Sequence, residues 1–196
     1  MSIKQILKKG VTLEQVANAF DALPYEKQVA EMRQLKKEDL IFLYNLAEGN
    51  PCTVDDDLAP KAHQGEIVYE GKSSLGGASK FKKRIFRPSA NGNEVMAIGR
   101  NELALNFIIG PGYFTAMDSI VEGCAKTVIV DYEKLPEQTM EGWPTIRPNN
   151  TLLSKPAFGN MKDILWKVGS GVIVGRAHKN GKWADNFFLL CRKPAS

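Results

Sequence analysis

The chain has 196 residues, 43% of them hydrophobic and 24% charged, with a formal net charge of +4. Those proportions predict a globular fold of one domain, with at most a small appendage, and exclude a wholly disordered chain. No stretch approaches the roughly 18 apolar residues of a spanning helix, Met1-Ser2-Ile3-Lys4-Gln5 lacks a secretory apolar core, and three scattered cysteines (Cys52, Cys124, Cys191) suit a reduced, cytoplasmic interior.

The first fifty residues read as helices. Ile3 to Lys9 is a short one, stopped by Gly10. Thr12 opens a second, with Gln15 at the capping-box spacing, and Leu13, Val16, Phe20 and Leu23 share one face. Pro24 suits the first turn of a third, whose apolar positions are Val29, Met32 and Leu35. A fourth runs from Lys37 to Ala47 and ends before Gly49 and Pro51. Helices of about ten residues are marginal alone, so these must pack together or on the remainder of the chain.

Residues 51–64 read as a linker, with two prolines and the triplet Asp55-Asp56-Asp57. The triplet lacks the alternating ligands and distal Glu of a calcium loop, and a solvated acidic turn is expected. Charge shifts here too. The first fifty residues are balanced, whereas residues 65–196 carry 18 Lys/Arg against 12 Asp/Glu. The expected division is a helical segment 1–50, a linker 51–64 and a β domain 65–196.

From Gly65 the pattern changes to short strands rich in Val, Ile and Phe. The expected strands are Glu66–Tyr69, Phe81–Arg87, Glu94–Ile98, Leu103–Ile109, Thr127–Tyr132, Ile164–Val168, Val172–His178 and Phe187–Arg192. Turns at Asn91-Gly92-Asn93, Gly169-Ser170-Gly171 and Asn180-Gly181-Lys182 separate many of them. Only the segment around Met117–Val121 looks helical in this half. Many short strands with glycine turns favour an antiparallel barrel or a sandwich.

Several patterns carry less than they first suggest. The Gly169-x-Gly171-x-x-x-Gly175 spacing lacks the strand before and helix after that a dinucleotide site needs, so it reads as a hairpin. The basic run Lys80–Arg87 interleaves with aromatics, but no recognition helix or RNA motif accompanies it. It reads as a solvated, mostly outward strand, or as a patch that meets an anionic ligand head group or surface, and no nucleic-acid partner is expected. The histidines His63 and His178 and the distant cysteines give no zinc spacing, so no metal and no cofactor are expected. His178 is the best single acid/base candidate, with Asp131 and Tyr132 beside it.

Two segments suggest a ligand. Gly110-Pro111-Gly112 forces a sharp change of direction and is followed by Tyr113, Phe114 and Met117, which suit a cavity mouth or a filled core. Trp143 lies in a long irregular stretch holding four prolines, where it covers a ligand or plugs a barrel end. Period-2 parity predicts inward faces: Leu103, Leu105, Phe107 and Ile109; Val128, Val130 and Tyr132; Ile164, Trp166 and Val168; Val172 and Val174 ending in Arg176 and His178; and Phe188 and Leu190 ending in Arg192. An apolar face that ends in a cation suits an amphipathic ligand, or else arginines that emerge at the barrel rim and are solvated.

The C-terminal run Asp163-Ile164-Leu165-Trp166-Lys167-Val168, Gly171-Val172-Ile173-Val174-Gly175-Arg176, Asn180-Gly181-Lys182 and Phe187-Phe188-Leu189-Leu190-Cys191-Arg192 resembles the closing strands of lipocalin-like (calycin) barrels. In outline, a helical stretch before a barrel is similar to the plastid-lipid-associated (fibrillin) proteins. The resemblance implies an up-and-down antiparallel barrel with a central cavity, whose known members mostly bind hydrophobic small molecules and in a minority act on them.

The expected fold is therefore α+β: N-terminal helices packed on an antiparallel barrel of about eight strands. Eight strands leave room for side chains or one small ligand. The first functional reading is binding of a lipid, fatty acid or pigment, with Phe107, Tyr113, Phe114, Met117, Trp143 and Trp166 lining the cavity and Arg84, Arg176 or Arg192 meeting a carboxylate. Peripheral membrane contact fits that reading. The second is an enzyme on such a molecule, and the third an interaction module using the N-terminal helices. A binder should show a closed apolar cavity with at most one buried charge; an enzyme should bring two or more titratable groups together inside it.

Overall fold

The N-terminal part forms α1 (Ile3–Ile6), α2 (Leu13–Asp21), α3 (Tyr25–Gln34) and α4 (Lys37–Ala47) in a computed structural model that describes residues 1–8, 10–76, 79–88, 96–104, 106–121 and 126–195. Local chemistry sets the starts. The Thr12 hydroxyl accepts from Gln15 N at 3.2 Å and the Gln15 side chain accepts from Thr12 N at 3.0 Å, closing the capping box read from the sequence. Ser2 and Gln5 repeat it at α1.

The strands are β1 (Ile67–Ser73), β2 (Lys80–Phe86), β3 (Ala97–Glu102), β4 (Tyr113–Ile120), β5 (Lys126–Asp131), β6 (Met161–Gly169), β7 (Val172–Lys179) and β8 (Lys182–Arg192). Each pairs antiparallel with the next, and β8 returns to β1 from Tyr69↔Arg192 to Ser73↔Phe188, closing the barrel. Asn180 and Gly181 take left-handed φ of 52° and 74° in the two-residue turn between β7 and β8, the geometry Asn-Gly favours.

Two cores result. One fills the barrel and includes Tyr69, Ile85, Phe114, Val128, Val130, Leu165, Ile173, Phe188 and Leu190. The other lies between the helices and the outer wall, where Val16, Phe20, Met32, Leu40, Leu43 and Tyr44 meet Ile164, Trp166, Val172, Val174, Phe187 and Leu189. α2 runs against β6, α3 against β8 and β1, and α4 across β6 to β8. The apolar faces of the helices are thus taken up by the barrel. Each fully buried Leu, Ile, Val or Phe here contributes about 1.5–3 kcal/mol.

Parity found the faces but not always their sense. Val128, Val130, Phe188 and Leu190 point inward as expected. Ile164, Trp166, Val168, Val172 and Val174 point outward, under the helices. Strands buried on both faces read as apolar throughout, so alternation cannot say which face is the interior.

Three expectations are corrected. Leu103–Ile109 is not a strand: it contains a turn and α5 (Asn106–Ile109), and Phe107 is 79% exposed. Asn106 folds it, accepting from Leu103 N at 2.9 Å and donating to Asn101 O at 2.8 Å, the local competition that Asn offers to strand pairing. Conversely, Met117 to Ile120 is strand, paired with β5 from Met117↔Ile129 to Ile120↔Lys126. The Asp55–Asp57 turn is not simply solvated. It is one π-helical turn, Val54–Leu58, that plugs a barrel end with Cys52, Val54, Leu58 and Ala59. The Asn91–Asn93 turn, Leu105 and Cys124 lie outside the described residues.

Candidate functional site

The plug makes the barrel's two ends unlike. At the closed end, the Tyr69 hydroxyl donates to Asp57 O at 2.7 Å and Leu58 O at 3.0 Å, and Arg192 donates to Asp57 O at 2.9 Å. Arg87 donates to Ala59 O and Asp55 Oδ1, each at 2.6 Å. At the other end the connections after β1, β3 and β5, with Ala177 and Lys179 of β7 and Ala184 to Asn186 of β8, surround a cavity of about 620 Å³. Phe81, Leu103, Ile109, Phe158, Met161 and Phe188 wall it, α6 (Lys155–Phe158) lies at its side, and Lys83, Asn101 and Tyr132 are at its polar part.

Lys83 is 1% exposed. Its ammonium donates to Asp163 Oδ2 at 3.0 Å, to Asn101 Oδ1 at 3.2 Å and to the Tyr132 hydroxyl. The Tyr132 hydroxyl donates to Asp163 Oδ2 at 3.1 Å, and Asn101 Nδ2 donates to Tyr132 Oη at 2.9 Å. The three ammonium N–H groups are therefore all engaged. Four rings surround the cation, with centroids 4.7 Å (Phe114), 5.1 Å (Tyr132), 5.4 Å (Phe188) and 5.9 Å (Phe81) from Nζ, within cation–π range. Burial holds the Lys83 ammonium below its ordinary pKa, with the Asp163 carboxylate opposing the shift. Burial, and next the Asp163 charge, push the Tyr132 phenol well up.

Glycines build the ring cage. Gly71 faces Phe81 across β1–β2, Gly99 faces Phe114 across β3–β4, and Gly175 faces Phe188 across β7–β8. A Cβ at these glycines would lie 2.5, 2.2 and 2.3 Å from the ring opposite. Each ring therefore occupies the space a side chain would need. Gly112, at φ 54°, seats Phe158 in the same way, and that ring stacks on Tyr132 at 5.6 Å.

The residues expected to form the site are scattered by the fold. Phe114 and Tyr132 reach the barrel interior. Tyr113 and Met117 lie on the opposite face of β4, and the Tyr113 hydroxyl meets Thr139 and the Pro144 carbonyl. Trp143 neither covers the cavity nor plugs an end. It lies outside the wall against Phe86, Tyr113 and Arg100 and donates to Glu66 Oε1 at 2.7 Å. Trp166 is under the helices. Arg84 pairs with Glu66 at 2.5 Å and Glu102 at 2.6 Å. Arg176 covers Trp183 and Phe187 on the outside, and Arg192 is at the plug. Asp131 pairs with Lys162 at 3.0 Å. His178 meets Trp183 edge-on, beside a surface hollow shared with Glu133 and Asn180.

Sequence reasoning missed Lys83, Asn101 and Asp163. The basic run is not wholly outward, because Phe81, Lys83 and Ile85 share the inner face of β2. A lysine flanked at i±2 by Phe and Ile was the available signal. Among the described residues no cluster of His, Cys, Asp and Glu suits a metal ion, and no helix is long and apolar enough to cross a membrane. No protein family, curated protein or solved structure matches the chain.

Proposed function

We propose that the barrel binds an apolar or amphipathic small molecule, such as a lipid, fatty acid or pigment, in the cavity at its open end. The cavity carries this reading: about 620 Å³ with walls of Phe81, Leu103, Ile109, Phe158, Met161 and Phe188 is within the size and character of small-molecule sites. The rim supports it. Of the exposed large apolar residues, Leu75, Phe107, Ile108, Leu152, Leu153 and Trp183 lie on connections at the open end or, for Trp183, at the start of β8, whereas Met1 and Ile120, at the far end of β4, do not. Such a rim suits a peripheral lipid surface that delivers the ligand. The lipocalin-like reading of the fold agrees, as does a cytoplasmic location for the buried free thiols Cys52 and Cys191.

The test is fluorescence titration with 1-anilinonaphthalene-8-sulfonate, followed by displacement with a long-chain alcohol. Saturable enhancement is expected, lost in Ala157→Trp and Ala177→Trp, which fill the cavity. Undiminished enhancement in both folded variants would place the probe elsewhere and sink the reading.

A second reading, an enzyme acting on such a molecule, is favoured by one observation. Three titratable groups, Lys83, Tyr132 and Asp163, converge inside the barrel, where simple binding needs one charge or none.

A further inference from the structure

We propose that Lys83 is an imine-forming residue, whose Nζ condenses with the carbonyl carbon of an apolar aldehyde or ketone seated in the barrel cavity. This rests on the reading of the cavity as an apolar ligand site.

The hydrogen bonding of the cluster separates this from simple charge recognition. Asp163, Asn101 and Tyr132 engage all three donors of the ammonium, so a ligand carboxylate gains no hydrogen bond from it without evicting a partner. Nor does an apolar pocket need the pair: replacing a buried ion pair with packed apolar side chains is often neutral or stabilising. What the geometry supplies is a nucleophile with a proton acceptor and a proton donor attached. Lys83 lines the cavity, its carboxylate partner is at 3.0 Å, and the Tyr132 hydroxyl touches both. Desolvation in an apolar pocket is a known means of activating a lysine amine, and the downward pull of burial on Lys83 has that sense.

Each step balances in protons and electron pairs. Lys83 passes one proton to Asp163, leaving a neutral amine and a neutral acid. The amine then turns about its Cδ–Cε bond, so that the lone pair left facing Asp163 faces the cavity; that pair forms the N–C bond and the carbonyl π pair moves to oxygen. That oxygen takes the phenolic proton of Tyr132, and Tyr132 recovers one from the new N–H. The carbinolamine hydroxyl then leaves as water with the proton held by Asp163, while the nitrogen pair forms C=N. The sum is ammonium plus carbonyl giving iminium plus water, with no oxidant or reductant. The iminium inherits the Asp163 carboxylate and the rings of Phe81, Phe114, Tyr132 and Phe188, so the cage suits the product cation as it suits the ammonium.

The experiment uses the full chain with decanal as probe and sodium cyanoborohydride as trap, read by intact mass and peptide mapping. The expected result is a single adduct on Lys83, with a gain equal to decanal less its oxygen. It should saturate with decanal and be blocked by 1-decanol, which enters the cavity but cannot condense. Tyr132→Phe keeps the ring and should slow trapping at Lys83 by about 10²-fold, the lower range of acid–base assistance, leaving surface lysines unchanged. If decanal and 1-decanol displace the fluorescent probe but no adduct maps to Lys83, the imine proposal is overturned and the cavity reading stands. If neither displaces the probe, the cavity reading itself fails.

Discussion

Gly99 and Phe114 sit opposite each other in the β3–β4 register, and a Cβ on Gly99 would come within 2.2 Å of the Phe114 ring. The same ring lies 4.7 Å from the Lys83 ammonium, so the glycine sets where the cage stands. Gly99→Ala should therefore overpack the interior and lower stability by about 1–3 kcal/mol. Urea denaturation of Gly99→Ala, Phe114→Ala and the double variant checks it. The double should lose less than the sum of the singles, because removing the ring removes the two nearest contacts and leaves only the Arg84 carbonyl at 2.8 Å. Full additivity would mean that the ring does not depend on the glycine.

Lys83 and Asp163 form a buried pair, 1% and 3% exposed. Lys83→Met or Asp163→Asn leaves one charge without its partner, which typically costs about 3–5 kcal/mol. Lys83→Met combined with Asp163→Leu removes both charges and should recover most of that loss. Urea midpoints measure all three. A double variant no more stable than the worse single would show that the pair is not the unit that matters.

Part of the alkaline sensitivity should trace to buried thiols, beside the raised phenols of Tyr25, Tyr69 and Tyr132. Burial, and next the Glu70 charge, raise the Cys191 thiol from 9.0 to about 12, and burial raises Cys52 as well. Between pH 9 and 12 the unfolded chain thus loses thiol protons that the fold retains. Fewer protons on the unfolded state means that stability falls as pH rises, by up to about 1.4 kcal/mol per pH unit per group. Melting temperatures from pH 8 to pH 11 should fall less steeply in Cys191→Ala than in the parent protein. Parallel slopes would exclude Cys191 as a source.

Phe107 and Leu152, 79% and 90% exposed at the open rim, should matter to delivery rather than to the cavity. Phe107→Ser with Leu152→Ser should leave the aqueous affinity for 1-anilinonaphthalene-8-sulfonate nearly unchanged, since neither residue lines the cavity. The pair should slow pickup of a fluorescent fatty acid from phosphatidylcholine vesicles. Equal transfer rates would remove the lipid-surface role of the rim.

Legibility in the sequence followed the range of the interactions. Thr12 with Gln15, and Lys37 to Ala47, could be read because capping and 3.6-residue periodicity are local. Val128 and Val130 could be read because β5 has a single clear apolar inner face. Leu103–Ile109 misled because Asn106 folds the run back onto Leu103 and Asn101. The outward Trp166 and Val174 misled because a second core lies on that side. The site was hidden for another reason. Lys83, Asn101, Tyr132 and Asp163 come from β2, β3, the end of β5 and β6, and only closure of the sheet brings them together. Tyr132 alone was legible, by parity with Val128 and Val130.

The seam between β1 and β8 joins Tyr69 to Arg192, so the first strand made waits for the last. During synthesis the helices, the plug and seven strands leave the ribosome before β1 has both its neighbours. A nascent chain therefore carries two open sheet edges until Phe188 to Arg192 arrive, and open edges invite pairing with other chains. The same long loop closure slows folding, because its entropy is lost before the seam's contacts form. A product cut short before Phe188 should aggregate rather than persist as a weakened barrel.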